Sequence, residues 1–133
     1  TLRKTLGDDV AESELTRIKN TEGLIPGVDS SEVHELLLPV VSLIKDELAT
    51  RMQYWHMRSL DGGARRISSI VLTGGSSNLK GLPAYLTESL GVPATRGNVW
   101  ENAFSLEDHV PPIDRRHSFG YATAIGLALK SIV

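Results

Sequence analysis

One stretch decides the fold: Ile70-Val71-Leu72-Thr73-Gly74-Gly75-Ser76-Ser77-Asn78-Leu79. Residues 67–72, which are rich in β-branched residues, predict a buried strand, and residues 79–90 predict a helix with Ser77 or Asn78 as its cap. At a junction of this kind, backbone N–H groups can point into a crevice that holds a ligand. Two interpretations stay open at this point: an ordinary connection whose glycines supply positive φ, and one wall of a nucleotide site.

A second strand is predicted shortly after the helix. Gly91-Val92-Pro93 ends the helix, and residues 92–95 have the composition of a short strand. A strand, a helix of about three turns and another strand form a parallel βαβ unit. The fold class is therefore α/β.

Helices are predicted on the N-terminal side of this unit. Apolar spacing indicates a short helix over residues 9–19 that stops within Asn20–Gly23, and a turn at Ile25-Pro26-Gly27. A second, longer helix begins after a cap at Asp29, Ser30 or Ser31 and ends near Asp61-Gly62-Gly63. Pro39 either kinks this helix or opens a new one after a break. Its apolar stripe consists of Val33, Leu37, Val41, Ile44, Leu48, Met52 and Trp55.

The C-terminal part combines a long loop with a final helix. Residues 97–117 are predicted to be a loop, and at this length a loop is either functional or draped over a core. Residues 117–132 are predicted to be a helix. Because small residues recur at Gly120, Ala122, Ala124, Gly126 and Ala128, we expect this helix to approach neighbouring backbone closely and to be buried.

Composition limits the classes of protein that fit. The 133 residues suit a single domain, and the formal charge of −2 without a basic run disfavours nucleic-acid binding. No cysteine is present, so disulfides, thiolate metal sites and thiol nucleophiles are excluded. No apolar run approaches the roughly 20 residues of a membrane span. The first residues contain no initiator Met, so we expect the chain to begin inside a longer protein, with the cytoplasm as its compartment.

Residues for catalysis or metal binding are scarce. The four histidines, at positions 34, 56, 109 and 117, lack the spacing and carboxylate neighbours of a metal site. Ser76 and Ser77 do not lie in a Gly-x-Ser-x-Gly elbow. The loop carboxylates are expected to be solvated rather than paired as acid and base. We predict no metal site and no catalytic residue.

Three segments together resemble the actin-like ATPase superfamily. The stretch from Ile70 to Ser77 resembles its adenosine motif, an apolar strand followed by a Gly-Gly turn and a small residue. Tyr121-Ala122-Thr123-Ala124-Ile125-Gly126 is similar to the small-residue helix that forms the second connecting motif. The segment from Leu15 to Gly23 is similar to the helix that carries a lysine near the adenosine and ends in glycine.

Within the superfamily the chain looks most like the type IV pilus assembly protein PilM, and next like the cell-division protein FtsA. The PilM-like motifs are Asn78-Leu79-Lys80-Gly81-Leu82 with Tyr85-Leu86, Leu90-Gly91-Val92-Pro93, Gly97-Asn98-Val99-Trp100 with Asn102, and residues 121–129. The resemblance covers nearly the whole chain. It implies that residues 1–133 are the later part of the second actin-like, ribonuclease-H-like lobe. Within it, residues 1–28 lie near the adenosine side, residues 29–63 form the long helix or kinked pair, and residues 64–133 hold the βαβ unit, loop and last helix.

The resemblance also implies a set of site residues. Gly74, Gly75 and Ser76 are expected to line the adenosine, with Asn78 near the base or the helix opening. Lys19 is expected to approach the adenine or ribose from the other side. Relatives often place a ribose-binding glutamate three residues before that lysine, and here the shorter Thr16 stands in its place.

The implied function is a cytoplasmic scaffold for assembly of a type IV pilus or related secretion machine, located at the inner face of the membrane through its partners. ATP with Mg²⁺ is expected in the full-length parent, whose phosphate and metal ligands would precede this chain. Tight binding by the fragment and catalysis are not expected. The implied partner is a PilN-like cytoplasmic tail, and an open sheet edge favours self-association. The alternatives are an FtsA-like ATPase that polymerises at the membrane and a sugar or acetate kinase of the same superfamily.

Overall fold

The computed structural model describes residues 11–21, 23–24, 31–58, 66–105 and 107–130. The predicted turn at Ile25-Pro26-Gly27, the caps at Asp29 and Ser30, and the helix end at Asp61-Gly62-Gly63 lie outside these residues. Five helices, two strands and two 3₁₀ turns occur in the described part. In chain order they are α1 (Glu12–Thr21), α2 (Ser31–Arg58), β1 (Ile70–Leu72), a first 3₁₀ turn (Gly75–Asn78), α3 (Leu82–Leu90), β2 (Ala94–Arg96), α4 (Arg115–Ser118), a second 3₁₀ turn (Phe119–Tyr121) and α5 (Ala122–Lys130).

The two strands form a small parallel sheet. The backbone N–H of Ile70 donates to the carbonyl of Pro93 (2.8 Å), and the N–H of Gly97 donates to the carbonyl of Leu72 (3.0 Å). Both strands therefore run in the same direction, with α3 between them in sequence. This confirms the mainly helical α/β fold with a parallel βαβ unit. The first strand is shorter than predicted, because residues 67–69 make no ladder.

The chain divides into two compact units. The first comprises Thr1–Ile70 and Leu79–Ala94, and the second comprises Val71–Asn78 and Thr95–Val133. Apolar side chains dominate what is buried in the first unit: Leu24, Val33, Leu37, Val41, Leu79, Leu82, Leu86 and Ala94. In the second unit the buried residues of the described part are Phe119 and two serines, Ser77 and Ser118. The assignment of residues 1–133 to a single domain stays a prediction.

Helix α2 continues through Pro39, so the alternative of two helices is wrong. Proline has no N–H, so the Glu35 carbonyl loses the helical hydrogen bond that residue 39 would otherwise donate. Both Pro39 and Glu35 are exposed, so water can reach this part of the helix. The predicted apolar stripe has two halves. Val33, Leu37 and Val41 are buried, whereas the side chain of Trp55 is 55% exposed. The hydroxyls of Ser42 and Tyr85 lie 3.2 Å apart where α2 packs on α3.

Helix α3 begins three residues later than predicted. Its N-cap is Gly81, with φ of 83° and no side-chain cap, and Pro83 lies in the first turn. The expectation that Ser77 or Asn78 caps the helix is wrong, because both residues belong to the first 3₁₀ turn and bond elsewhere. The predicted end at Gly91 is confirmed: this residue has φ of 65°, and its N–H donates to the Thr87 carbonyl.

The last predicted helix is a succession of three short elements. The range 115–118 is helical as α4, so the predicted loop ends at Asp114, and the second 3₁₀ turn separates α4 from α5. The expectation that the last helix is buried is wrong. No residue of α5 is buried, and Leu127 is 65% exposed. Small residues allow close approach, but a Cβ added to Gly126 would meet no atom within 4 Å.

None of the helices in the described residues combines the length and apolar character needed to cross a membrane.

Candidate functional site

The Gly-Gly turn folds as a self-bonded 3₁₀ turn at the end of β1. Both the backbone N–H and the Oγ hydroxyl of Ser77 donate to the carbonyl of Gly74, at 3.0 and 2.7 Å. Ser77 is 3% exposed, so this hydrogen bond satisfies a hydroxyl that is out of reach of bulk water. The side chain of Ser77 therefore stabilises the turn from inside, while Gly75 and Ser76 stay exposed.

Later segments of the same unit hold the turn from outside. The N–H of Gly74 donates to the carbonyl of Phe119 (2.9 Å), and the side-chain amide of Asn78 donates to the carbonyl of Arg116 (2.8 Å). From β2, the guanidinium Nε of Arg96 donates to the carbonyl of Ser77 (2.7 Å). Sequence analysis missed these three contacts, because partners 19 to 45 residues away leave no local pattern.

The two glycines leave the outer surface of the turn open. A Cβ atom added to Gly74 or Gly75 would meet no atom within 4 Å. Gly74 has φ of 86°, which favours glycine, whereas the φ of Gly75 is not positive. The backbone N–H groups of Gly75 and Ser76 have no acceptor in the described part of the chain. Gly74 and Gly75 thus present backbone without a side chain, and Gly75 and Ser76 present unpaired N–H donors, a combination that leaves room for a planar base or a sugar.

The other two predicted site residues lie on α1, in the first unit. Thr16 and Lys19 are three residues apart, so they share one face of the helix. Thr16 is exposed, and the Lys19 ammonium makes no ion pair with any described residue. The neighbouring Arg17 bonds Glu14 through two nitrogens (2.9 and 2.6 Å), and this hydrogen bonding lowers the pKa of Glu14. That carboxylate is therefore already engaged by Arg17, and the contact of Lys19 with a ligand stays a prediction.

The structure brings four predicted residues together, namely Gly74, Gly75, Ser76 and Asn78, which belong to one turn. It also brings Thr16 and Lys19 together on α1. Whether the two sets contact one adenosine stays a prediction. The side-chain amide nitrogen of Asn78 uses one of its two hydrogens on the Arg116 carbonyl, which leaves its oxygen and its second N–H for a ligand.

Groups of three or more metal-ligating side chains do not occur among the described residues. Two of the four histidines make contacts of another kind. His117 Nδ1 lies 2.8 Å from Asp114 Oδ2, and His109 packs edge-on against Phe104 at 5.1 Å. The Asp114–His117 pair was not predicted. An Asp three residues before a histidine at the start of a helix is nevertheless a pattern that favours such an N-cap hydrogen bond.

With this geometry described, the comparison with known families is informative. The family model described as "Type IV pilus assembly protein PilM" matches residues 10–132. The chain belongs to the PilM family. The match includes α1, the Gly-Gly turn and α5, which are the three segments that carry the predicted resemblance. Membership in the PilM family supports a role in type IV pilus assembly. Among curated proteins, none matches the chain.

Proposed function

We propose that this chain is part of a nucleotide-binding scaffold that supports assembly of a type IV pilus or a related secretion machine. In this proposal the turn from Gly74 to Asn78 forms one wall of an adenosine pocket. PilM family membership supports the assembly role, and the geometry of the turn supports the pocket. The chain contributes binding surface, and we assign it no catalytic residue.

One observation carries the nucleotide proposal: Gly75, a glycine that the described residues do not require, lies in a turn where two backbone N–H groups, those of Gly75 and Ser76, have no acceptor among those residues. The φ of Gly75 is not positive, and an added Cβ would meet nothing within 4 Å. Neither backbone conformation nor packing in the described residues explains the missing side chain. A flat ligand lying against the turn explains it, because any side chain would occupy the ligand's place.

The other proposed site residues contribute different contacts to the adenosine. Gly74 and Ser76 extend the wall, and Asn78 keeps the turn in position while its oxygen stays available near the base. Lys19 approaches the adenine or ribose from α1. Thr16, with its short side chain, makes at most a weak ribose contact. ATP with Mg²⁺ is the proposed ligand in the full-length protein, where it supplies the adenosine that these residues hold.

The proposal includes location and partners. The scaffold is cytoplasmic and reaches the inner face of the membrane through other proteins. Nucleotide sets the angle between its two lobes, and a PilN-like cytoplasmic tail bound to the other lobe responds to that angle. Each strand of the small sheet has a single partner among the described residues, and this open edge supports self-association.

A matched pair of valine variants tests the pocket in the full-length protein. Gly75→Val should abolish the rise in melting temperature that ATP causes, because the new side chain fills the adenosine wall. Its melting temperature without ATP should stay nearly unchanged, since the position is open. Gly120→Val is the control. Gly120 also lies in an exposed 3₁₀ turn with nothing within 4 Å of an added Cβ.

Differential scanning fluorimetry with and without ATP·Mg²⁺ separates the outcomes. Loss of protection in Gly75→Val alone supports the pocket. Equal protection of all three proteins would show that adenosine binds elsewhere, and no protection of the unmodified protein would remove the nucleotide from the proposal.

A further inference from the structure

An open cavity lies along the segment between β2 and α4, and it shares no lining residue with the Gly-Gly turn. Its volume is about 330 Å³. This is close to the lower end of the roughly 300–1,000 Å³ typical of ligand sites, so it suits one or two side chains. We call it the loop pocket; its apolar lining is Trp100, Val110, Pro111 and Ile113, and its charged lining is Asp114 and Arg115.

The aromatic wall of the loop pocket is held in place by contacts of its own. The backbone N–H of Trp100 donates to Asn98 Oδ1 (3.2 Å). The Trp100 ring stacks on Phe104 with centroids 5.2 Å apart, and Phe104 in turn contacts the His109 ring. Because these contacts do not involve an occupant, the wall exists before anything binds, which reduces the ordering cost of binding.

The opposite wall is fixed at the start of α4. Asp114 Oδ1 accepts from the N–H of His117 (2.9 Å), and Asp114 Oδ2 lies 2.8 Å from His117 Nδ1. Both carboxylate oxygens are therefore engaged within the protein. The backbone hydrogen bond and then the side-chain hydrogen bond from His117 lower the pKa of Asp114, so its carboxylate stays ionised near neutral pH.

The Arg115 guanidinium is the positively charged group in the lining of the loop pocket. It makes no ion pair or hydrogen bond with another described residue, and Arg116 follows it on the exposed side of α4. Because both carboxylate oxygens of Asp114 are already engaged by His117, the Arg115 guanidinium has no ion-pair partner among the described residues, and it lies next to the apolar surface of the pocket. The complement of the pocket is an apolar group with a carboxylate beside it.

The mouth of the loop pocket favours a chain over a small molecule. Val110 lines the pocket but is 81% exposed, so the apolar surface continues outward beyond the cavity. A ligand confined to the cavity would leave most of Val110 in water, whereas a peptide crossing the mouth would cover it.

We propose that the loop pocket binds a peptide segment of a partner protein in which an aromatic or branched aliphatic side chain stands next to Asp or Glu. The apolar side chain enters between Trp100 and Ile113, and the carboxylate pairs with Arg115. This site is independent of the proposed adenosine wall.

The probe is a phage-displayed library of random nonapeptides, selected against the full-length protein. Selected peptides should share an aromatic or branched aliphatic residue adjacent to Asp or Glu. Fluorescence anisotropy of one such peptide then compares variants. Arg115→Gln should weaken binding about tenfold, as expected for loss of one charge-assisted hydrogen bond. Val110→Ser should weaken it about threefold through lost apolar contact, and at this exposed position it should leave the fold intact.

Arg116→Gln is the matched control, since Arg116 is the adjacent arginine and does not line the pocket. Affinity that falls in Arg115→Gln and Val110→Ser but not in Arg116→Gln supports the proposal. Selected peptides that are basic, or that bind all variants equally, would overturn it. So would a selection without any binder; if phenylacetate nevertheless binds and is lost in Arg115→Gln, the occupant is a small acid and not a peptide.

Discussion

Gly23 and Gly75 both lie in turns, yet the chain needs glycine at only one of them. Gly23 has φ of 59°, is buried, and precedes Leu24, whose N–H donates to the Lys80 carbonyl (2.8 Å). A Cβ added to Gly23 would overlap that carbonyl oxygen and lie 2.7 Å from the Lys80 Cβ. Gly75 has neither a positive φ nor a neighbour within 4 Å of an added Cβ.

The difference separates two reasons for a glycine. At Gly23 the reason is internal, since backbone conformation and close packing both exclude a side chain. At Gly75 no internal reason exists among the described residues, which is why we look for it in a ligand. Gly74 is intermediate, because its φ of 86° is strained for other residues although the space around it is open.

The largest effect is expected for Gly23→Ala, which should lower the free energy of unfolding by about 2–6 kcal/mol. The left-handed backbone conformation and the overlap with Lys80 each contribute roughly 1–3 kcal/mol. Urea denaturation of the full-length protein measures the change. A loss below about 1 kcal/mol would mean that the turn moves away from Lys80 easily, and the contrast with Gly75 would then weaken.

Gly74→Ala and Gly75→Ala sharpen the contrast within a single turn. Gly74→Ala should cost about 1–2 kcal/mol, the cost of a left-handed conformation without a clash. Gly75→Ala should change stability by no more than about 1 kcal/mol, with a gain expected from the reduced entropy of the unfolded chain. The same denaturation experiment checks both variants. If Gly75→Ala proves as costly as Gly74→Ala, Gly75 has an internal role and the argument for a ligand fails.

A smaller, pH-dependent effect is expected at Asp114, which caps the helix that receives the Asn78 hydrogen bond. Its pKa is lowered in the folded protein by hydrogen bonds from His117. The unfolded chain therefore takes up a proton at higher pH than the folded one. The stabilisation is fully present above the usual carboxyl pKa and is lost as pH falls through the lowered pKa.

Asp114→Asn should keep the capping oxygen but abolish this pH dependence. Melting temperatures between pH 2 and 7 should show the unmodified protein above the variant near neutrality, with the gap closing in acid. Asp108→Asn, at an exposed aspartate of the same loop, serves as the control and should show no such gap. A gap that stays constant with pH would show that the charge of Asp114 does not stabilise α4.

Short-range residue patterns predicted helix and strand positions well where one kind of residue dominated the segment. The β-branched run before Gly74 predicted β1, and Gly91 predicted the end of α3. The start of α3 was predicted wrongly, because Ser77 turns its hydroxyl to the Gly74 carbonyl rather than to a helix N–H. The burial of α5 was also predicted wrongly. Small residues permit close packing, but only a neighbouring element can provide it.

The sequence by itself determined the parallel βαβ unit, the Gly-Gly turn and membership in the PilM family, since these depend on residue order and short-range preference. Only the tertiary structure decided which hydrogen bonds fix the conformation of that turn. It also decided at which glycines an added Cβ would meet no neighbouring atom. The carbonyls of Phe119 and Arg116 and the guanidinium of Arg96 reach the turn from distant parts of the chain. The physical reason is that hydrogen bonds and van der Waals contacts act over a few ångströms, whatever the separation in sequence.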